Sequence, residues 1–261
     1  MDTGLHVHRF GPEGRAQVLA LHGLTGHGRR WEQLALEHLP QVSLLAPDLL
    51  GHGRSSWEAP WTIEANVAAL AGLLDAEGGH PVLVVGHSFG GAIALAFARA
   101  RPDLVSGLVL LDPAVGLDGA WMREIAEATL ASPDYPDVAE ARAEKAHGSW
   151  SDVPAAVLDA DLAEHLIALP TGRFGWRICL PAMMAYWSEL ARAPQLPAGT
   201  PTTVVRATGS DPAYVGEDLV GGLRQRLGAA FTLVDLPCQH MVAQALPTQV
   251  AELIRTRLPR G

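Results

Sequence analysis

Five consecutive residues carry the strongest chemical signal in the chain: Gly86-His87-Ser88-Phe89-Gly90, followed by Gly91. The pattern G-x-S-x-G sits directly after the apolar run Val82–Val85 and before a helix-like segment, Phe89–Arg101. A serine hydroxyl attacks a carbonyl only when it is presented openly and paired with a base. A sharp strand-to-helix turn presents it, because the strained residue at the bend projects its Oγ above the sheet edge. Glycines on either side remove the Cβ atoms that would collide across such a turn. The helix that follows aims its first N–H groups at the same point, which favours developing negative charge. Ser88 is therefore the candidate nucleophile, and its chemistry is acyl transfer through a covalent ester.

That serine must be held by a sheet, and the rest of the chain supplies one. Short runs rich in Val and Leu recur at Val18–His22, Val42–Pro47, Val82–Gly86, Leu108–Leu111, Thr202–Ala207 and Thr232–Leu236. Nearly continuous apolar runs of this length predict parallel strands buried on both faces. Leu5–Phe10 is polar at alternate positions and predicts an exposed antiparallel edge strand, with Gly11-Pro12-Glu13-Gly14 as the turn after it. Between the runs, Ile63–Ala76 (capped by Thr62), Phe89–Arg101, Val215–Leu227 and Gln249–Leu258 read as helices. The alternation predicts an α/β class chain: a mostly parallel sheet covered by helices on both sides. Residues 113–200 break the rhythm, with helical segments at Gly119–Leu130, Val138–His147 and Val157–Leu169 and no strand-like run. An insertion of that length predicts a helical cap, or lid, on a core made of residues 1–112 and 201–261.

Composition narrows the partners. The chain has 261 residues, 48% apolar and 18% charged, enough to bury a large core. Its formal charge is −9, and of its 19 basic residues only Lys145 is a lysine. With no basic run, a nucleic-acid or anionic-membrane partner is not expected. No stretch approaches the length of a membrane span, and the N-terminal ten residues lack an apolar signal core. The two cysteines, Cys179 and Cys238, have no metal-ligand spacing. A reduced cytoplasmic protein is expected, with no metal and no cofactor; Cys238 is read as a small buried side chain and not as a nucleophile.

The chain resembles the α/β-hydrolase superfamily at four ordered places. Besides the serine turn, these are His22-Gly23-Leu24, Asp48-Leu49-Leu50-Gly51-His52-Gly53-Arg54-Ser55 and Cys238-Gln239-His240-Met241-Val242, where Gln239 stands in place of the usual Gly. The likeness is closest to the esterase/lipase branch, including the small mycobacterial lipases. It implies the α/β-hydrolase fold and His240, after the last strand, as the general base. It also implies an oxyanion hole from the backbone N–H groups of Leu24 and Phe89. The acid is assigned to Asp211, just after the run Thr202–Ala207, with Asp112, at the end of the run Leu108–Leu111, as the alternative. His22, His52 and Asp48 are read as bracing their loops.

Serine at the turn sets the chain apart from the epoxide hydrolases and haloalkane dehalogenases of this fold, in which the resemblance implies aspartate there. The cap holds four of the seven tryptophans, and Trp121, Trp176, Met183 and Trp187 are the candidates for an apolar substrate slot. The expected activity is hydrolysis of a small apolar carboxylic ester with a short- to medium-chain or monoacyl-lipid acid. A C–C hydrolase, thioesterase or cofactor-free perhydrolase on the same residues is the alternative enzyme. A non-catalytic ligand receptor is the alternative outside enzymes.

Overall fold

A computed structural model describes residues 3–258. Seven strands form one sheet: β1 (Val7–Phe10), β2 (Val18–Leu21), β3 (Leu44–Pro47), β4 (Val82–His87), β5 (Val105–Leu111), β8 (Thr202–Ala207) and β9 (Phe231–Leu236). Their order across the sheet is β1-β3-β2-β4-β5-β8-β9. All neighbouring pairs are parallel except β1, which runs antiparallel to β3 at the edge. The polar alternation of the first strand and the apolar continuity of the others thus correspond to edge and interior positions.

Strand periodicity builds two core layers. Leu19 and Leu21 of β2, with Leu108 and Leu110 of β5, pack into one layer with α1 (Ile63–Ala76) and α2 (Phe89–Ala100). Val18, Ala20, Val109 and Leu111 face the other, against Trp31, Leu34 and the helix α9 (Pro247–Arg257). Side chains of successive residues point to opposite faces, so each run must be apolar throughout. Every residue of α2 from Phe89 to Ala98 is buried. Its small residues allow that depth: a Cβ on Gly90 would lie 2.4 Å from the Leu21 carbonyl oxygen, and one on Gly91 would lie 2.6 Å from Pro113.

Between β5 and β8 lie α3 (Gly119–Ala131), α4 (Val138–His147), α5 (Ala155–His165), the strands β6 (Leu166–Ala168) and β7 (Phe174–Trp176), and α6 (Leu180–Leu190). The helices α3 and α4 begin on Asp118 and Asp137, whose carboxylates accept the amides of Trp121 and Glu140. The β6–β7 hairpin differs from the expected all-helical insertion. Three-residue strands are too short to show an alternation, and Leu166–Leu169 extends the apolar pattern of α5 without a break. Fully buried Tyr186 of α6 ties this region to the sheet, donating to the Leu50 carbonyl (3.0 Å) and accepting from Asn66 Nδ2 (2.8 Å). Two backbone bonds do the same: Cys179 N–H to the Gly51 carbonyl and Gly53 N–H to the Arg177 carbonyl. After β8 come α7 (Glu217–Leu227), β9, the short helix α8 (Val242–Ala245) and α9.

Candidate active site

Ser88 occupies the single-residue bend between β4 and α2, with φ +53° and ψ −117°. A non-glycine residue in that region stores about 1–3 kcal/mol of strain and persists only where its surroundings enforce it. Here the Ser88 N–H donates to the Leu111 carbonyl (3.0 Å), and its own carbonyl accepts from Gly91 (2.8 Å) and Ala114 (3.1 Å). Gly86 is required for the same reason: a Cβ there would lie 2.5 Å from the Gly90 carbonyl oxygen.

His240 leaves the end of β9 and meets the serine. Its Nε2 lies 2.8 Å from Ser88 Oγ, and its Nδ1 lies 2.6 Å from Asp112 Oδ2. An Nδ1–H donated to a carboxylate leaves Nε2 as the acceptor for the serine proton, so the three side chains form one directional relay. The histidine loop is fixed from two sides. His87 Nε2 donates to the His240 carbonyl (2.8 Å), and the Tyr214 ring stacks on the imidazole at 3.8 Å and 17°. Burial, reinforced by the neighbouring His240 ring, holds His87 well below the usual histidine range, so it stays a neutral donor.

The acid in contact is Asp112, not the expected Asp211. Asp112 ends β5, is fully buried and has φ +42°. Besides His240, its carboxylate accepts from the Ala207 amide (3.1 Å) and more weakly from Ser210 Oγ (3.4 Å). Among the described residues Asp211 makes no bond to His240; it is exposed and lines a cavity beside the imidazole. The physical reason is the strand order. β8 lies between β5 and β9, so the loops after β5 and β8 both end near the histidine, and chain distance cannot say which carboxylate turns inward. The left-handed backbone at Asp112 turns its side chain under the β8 loop, where Ala207 orders it.

The loop after β2 completes the edge. A Cβ on Gly23 would sit 3.0 Å from Ser88 Cβ and 2.9 Å from His87 Nδ1, so this backbone packs directly on the serine turn. The Leu24 amide finds no acceptor among the described residues, and the Phe89 amide is the first of α2, where no intrahelical acceptor exists. His22 braces this loop, donating from Nδ1 to the Gly23 carbonyl (2.8 Å) and accepting the Leu49 amide at Nε2 (2.9 Å). Asp48 accepts the amides of Gly28 (2.7 Å) and Arg54 (2.8 Å). Its burial favours the neutral form, but those bonds and the His8 imidazole 3.4 Å away outweigh it and hold the carboxyl below its usual range. Burial pushes His52 down to about 4. Burial pushes the Cys238 thiol up to about 11, which removes the thiolate a nucleophile needs.

One group of metal-ligating types stands out among the described residues: His6, His8 and Asp48, with ligand atoms within 4.8 Å of one another. The Asp48 oxygens are already engaged by the two amides, so this group reads as a brace of the edge strand.

The four pocket candidates separate. Trp121 lines the cavity beside His240, together with Tyr214. Trp176 lines a second cavity of about 200 Å³, floored by Lys145 and bounded by Thr25 of the β2 loop. Met183 is fully buried in the core, and Trp187 packs partly buried against it; neither lines these cavities. A larger cavity, about 500 Å³ between α5 and residues 27–37, touches neither Ser88 nor His240 and lies away from the chemistry.

Two features escape a reading of the chain alone. Tyr214 has no motif; its aromatic type close after Asp211 is the only signal. The second is a buried ionic cluster where Asp161 of α5 accepts from Arg30 Nε (2.6 Å), His27 Nε2 (3.0 Å) and Lys145. The Lys145 ammonium also lies 4.3 Å from the ring centres of both Trp150 and Trp176, and burial lowers its pKa to about 8. Its uniqueness in composition was the available hint.

A sequence model of the Alpha/beta hydrolase family matches residues 18–253. The chain is 64% identical to Lipase LipV of Mycobacterium tuberculosis over 259 residues, 99% of each chain. Among solved structures it resembles E-2-(acetamidomethylene)succinate hydrolase, with TM-score 0.82 at 20% identity over 97% of this chain and 94% of that one. It also resembles a marine microorganism esterase, with TM-score 0.78 at 21% identity over 97% and 99%. At these identities the solved structures speak to the fold.

Proposed function

The chain belongs to the alpha/beta hydrolase family, and from that premise we propose that it hydrolyses carboxylic esters through an acyl-enzyme on Ser88. The observation that carries this reading is the continuous line from Ser88 Oγ to His240 Nε2 (2.8 Å) and from His240 Nδ1 to Asp112 Oδ2 (2.6 Å). The printed name of the 64% identical relative, a lipase, supports the ester as the bond attacked.

The geometry supports the following course. As Ser88 Oγ attacks the ester carbonyl, its proton passes to His240 Nε2, and Asp112 stabilises the imidazolium through Nδ1–H. The carbonyl oxygen becomes an oxyanion held by the Leu24 and Phe89 amides, each worth about 3–4 kcal/mol to the transition state when aimed correctly. The C–O bond to the alcohol breaks, and His240 returns the proton to that oxygen. Water then repeats the sequence on the Ser88 ester, with His240 as its base, releasing the acid and restoring the serine. The hydrogen bonds of His240 lie in its ring plane while one face rests on Tyr214, so the imidazole keeps one orientation through both proton transfers.

In this reading residues 113–200 form a lid over the site, and the acid portion is a short- to medium-chain or monoacyl-lipid group. Trp176, at the edge of a cavity bounded by Thr25 beside the Leu24 amide, supports that choice. No helix among the described residues is long and apolar enough to cross a membrane. The two buried free cysteines support a reducing compartment, and we place the protein in the cytoplasm. A fluorophosphonate followed by mass analysis tests the reading. One adduct on Ser88, blocked by a competing nitrophenyl ester and lost in Ser88→Ala, is expected; labelling elsewhere with undiminished ester turnover in Ser88→Ala contradicts it.

A further inference from the structure

The cavity of about 300 Å³ beside His240 has a defined place in this chemistry. His240 must deliver its proton to the departing alcohol oxygen, and this cavity, which His240 itself lines, is open space beside the imidazole. This step rests on the ester-hydrolase reading above. The walls of the cavity then describe the alcohol. Ser149 and Ser151 come from the turn after α4, Asp211 from the loop after β8, and Trp121 and Tyr214 stand with ring centres 5.2 Å apart.

We infer that this cavity receives the leaving alcohol, that the alcohol is a polyol, and that Asp211 recognises its hydroxyl groups. Asp211 has no ion pair among the described residues and faces a cavity rather than the histidine. A carboxylate accepts from two neighbouring hydroxyls at once, and serine hydroxyls serve as donor or acceptor as the ligand requires. The carbon-bound hydrogens of a polyol rest against the Trp121 and Tyr214 rings. An alkyl alcohol would desolvate Asp211 and the serines without replacing their hydrogen bonds, which is unfavourable. A quaternary cationic alcohol would gain Asp211 and the ring faces but would leave the wall hydroxyls of Ser149 and Ser151 without hydrogen-bond partners. The aspartate at the expected acid position thereby acquires a separate task, binding the group that His240 protonates.

The test compares esters of one acid: glyceryl monobutyrate, propyl butyrate and butyrylcholine. Because all form the same butyryl-enzyme, a leaving-group site changes kcat/KM for acylation and not the common deacylation step. Wild-type enzyme is expected to favour the glyceryl over the propyl ester by about tenfold in kcat/KM, the scale of one hydrogen bond to a charged group. Asp211→Leu is expected to bring that ratio near one, and Asp211→Asn to an intermediate value. Trp121→Leu, on the facing wall, lowers the same ratio and serves if the first variant does not fold. A wild-type ratio of one or below, a ratio untouched by both Asp211→Leu and Trp121→Leu, or a preference for butyrylcholine overturns the inference while leaving the esterase reading intact. Hydrolysis of none of the three overturns both.

Discussion

The loops after β5 and β8 leave adjacent parallel strands, and each carries an aspartate near the same imidazole. Asp112 is fully buried, sits at φ +42°, and spends its carboxylate on Ala207, Ser210 and His240. Asp211 lies in the open at a cavity mouth, without a bond to His240 among the described residues. The difference is one of support. A carboxylate that must hold a histidine through a catalytic cycle needs its remaining lone pairs filled by rigid donors, and of the two aspartates Asp112 has such a donor in the Ala207 amide of the neighbouring strand. A carboxylate at a cavity mouth stays free for a ligand.

The largest expected effect tests the frame in which both loops are compared. Ser88→Ala should lower kcat for a nitrophenyl ester by at least about 10⁴-fold, with KM little changed, in steady-state assays. Retention of turnover would remove the serine from the chemistry, and with it any meaning for either aspartate.

The ionic cluster around Asp161 sharpens the comparison from the side of stability. Asp161→Asn leaves the buried Arg30 and Lys145 cations without their carboxylate, a loss of about 3–5 kcal/mol. Thermal unfolding should show a fall in Tm of several degrees, whereas Asp211→Asn, at an exposed site, should leave Tm near that of wild type. Equal Tm for wild type and Asp161→Asn would mean that the cluster contributes nothing net.

The floor of the site makes a prediction about pH. His52, His22 and His87 are buried and held below the ordinary histidine range mainly by burial. In the unfolded chain each binds a proton near its ordinary value, about 6.5, while the folded chain does not. Their stabilisation is therefore present above about pH 6.5 and is lost as pH falls from there towards the folded values. For His52, with a folded value of about 4, the loss reaches about 3 kcal/mol over that window. Urea unfolding between pH 7 and 4.5 checks the sign; a midpoint that rises on acidification contradicts it. A smaller effect belongs to Ser210→Ala. Its 3.4 Å contact to Asp112 links the side chains of the two loops, and its removal should cost about 1 kcal/mol, or about fivefold in kcat.

What could be read in the chain beforehand follows from how locally each feature is encoded. Gly86 to Gly91 carries its own geometry, because a Cβ at Gly86 or Gly90 would lie 2.4–2.5 Å from a backbone oxygen. The buried strands were legible because burial on both faces demands Val and Leu at every position, as in Val82–Val85. The edge strand declared itself through His6, His8 and its polar alternation. The acid did not, because it depends on which of two strand ends turns its carboxylate inward, a choice made by φ at one residue and an amide 95 positions away. The segment between β5 and β8 was the least legible region. The β6–β7 hairpin, the burial of Met183 and the clamp of Lys145 between Trp150 and Trp176 are all decided by contacts across the insertion, not by local periodicity.

The comparison of the two aspartates is tested most directly by measuring kcat for one nitrophenyl ester in Asp112→Asn and Asp211→Asn side by side. An amide at position 112 can no longer fix the tautomer that leaves His240 Nε2 free to take the serine proton. The expected loss there is about 10⁴-fold, against less than about threefold at position 211. A collapse of turnover in Asp211→Asn with full activity in Asp112→Asn would contradict the account.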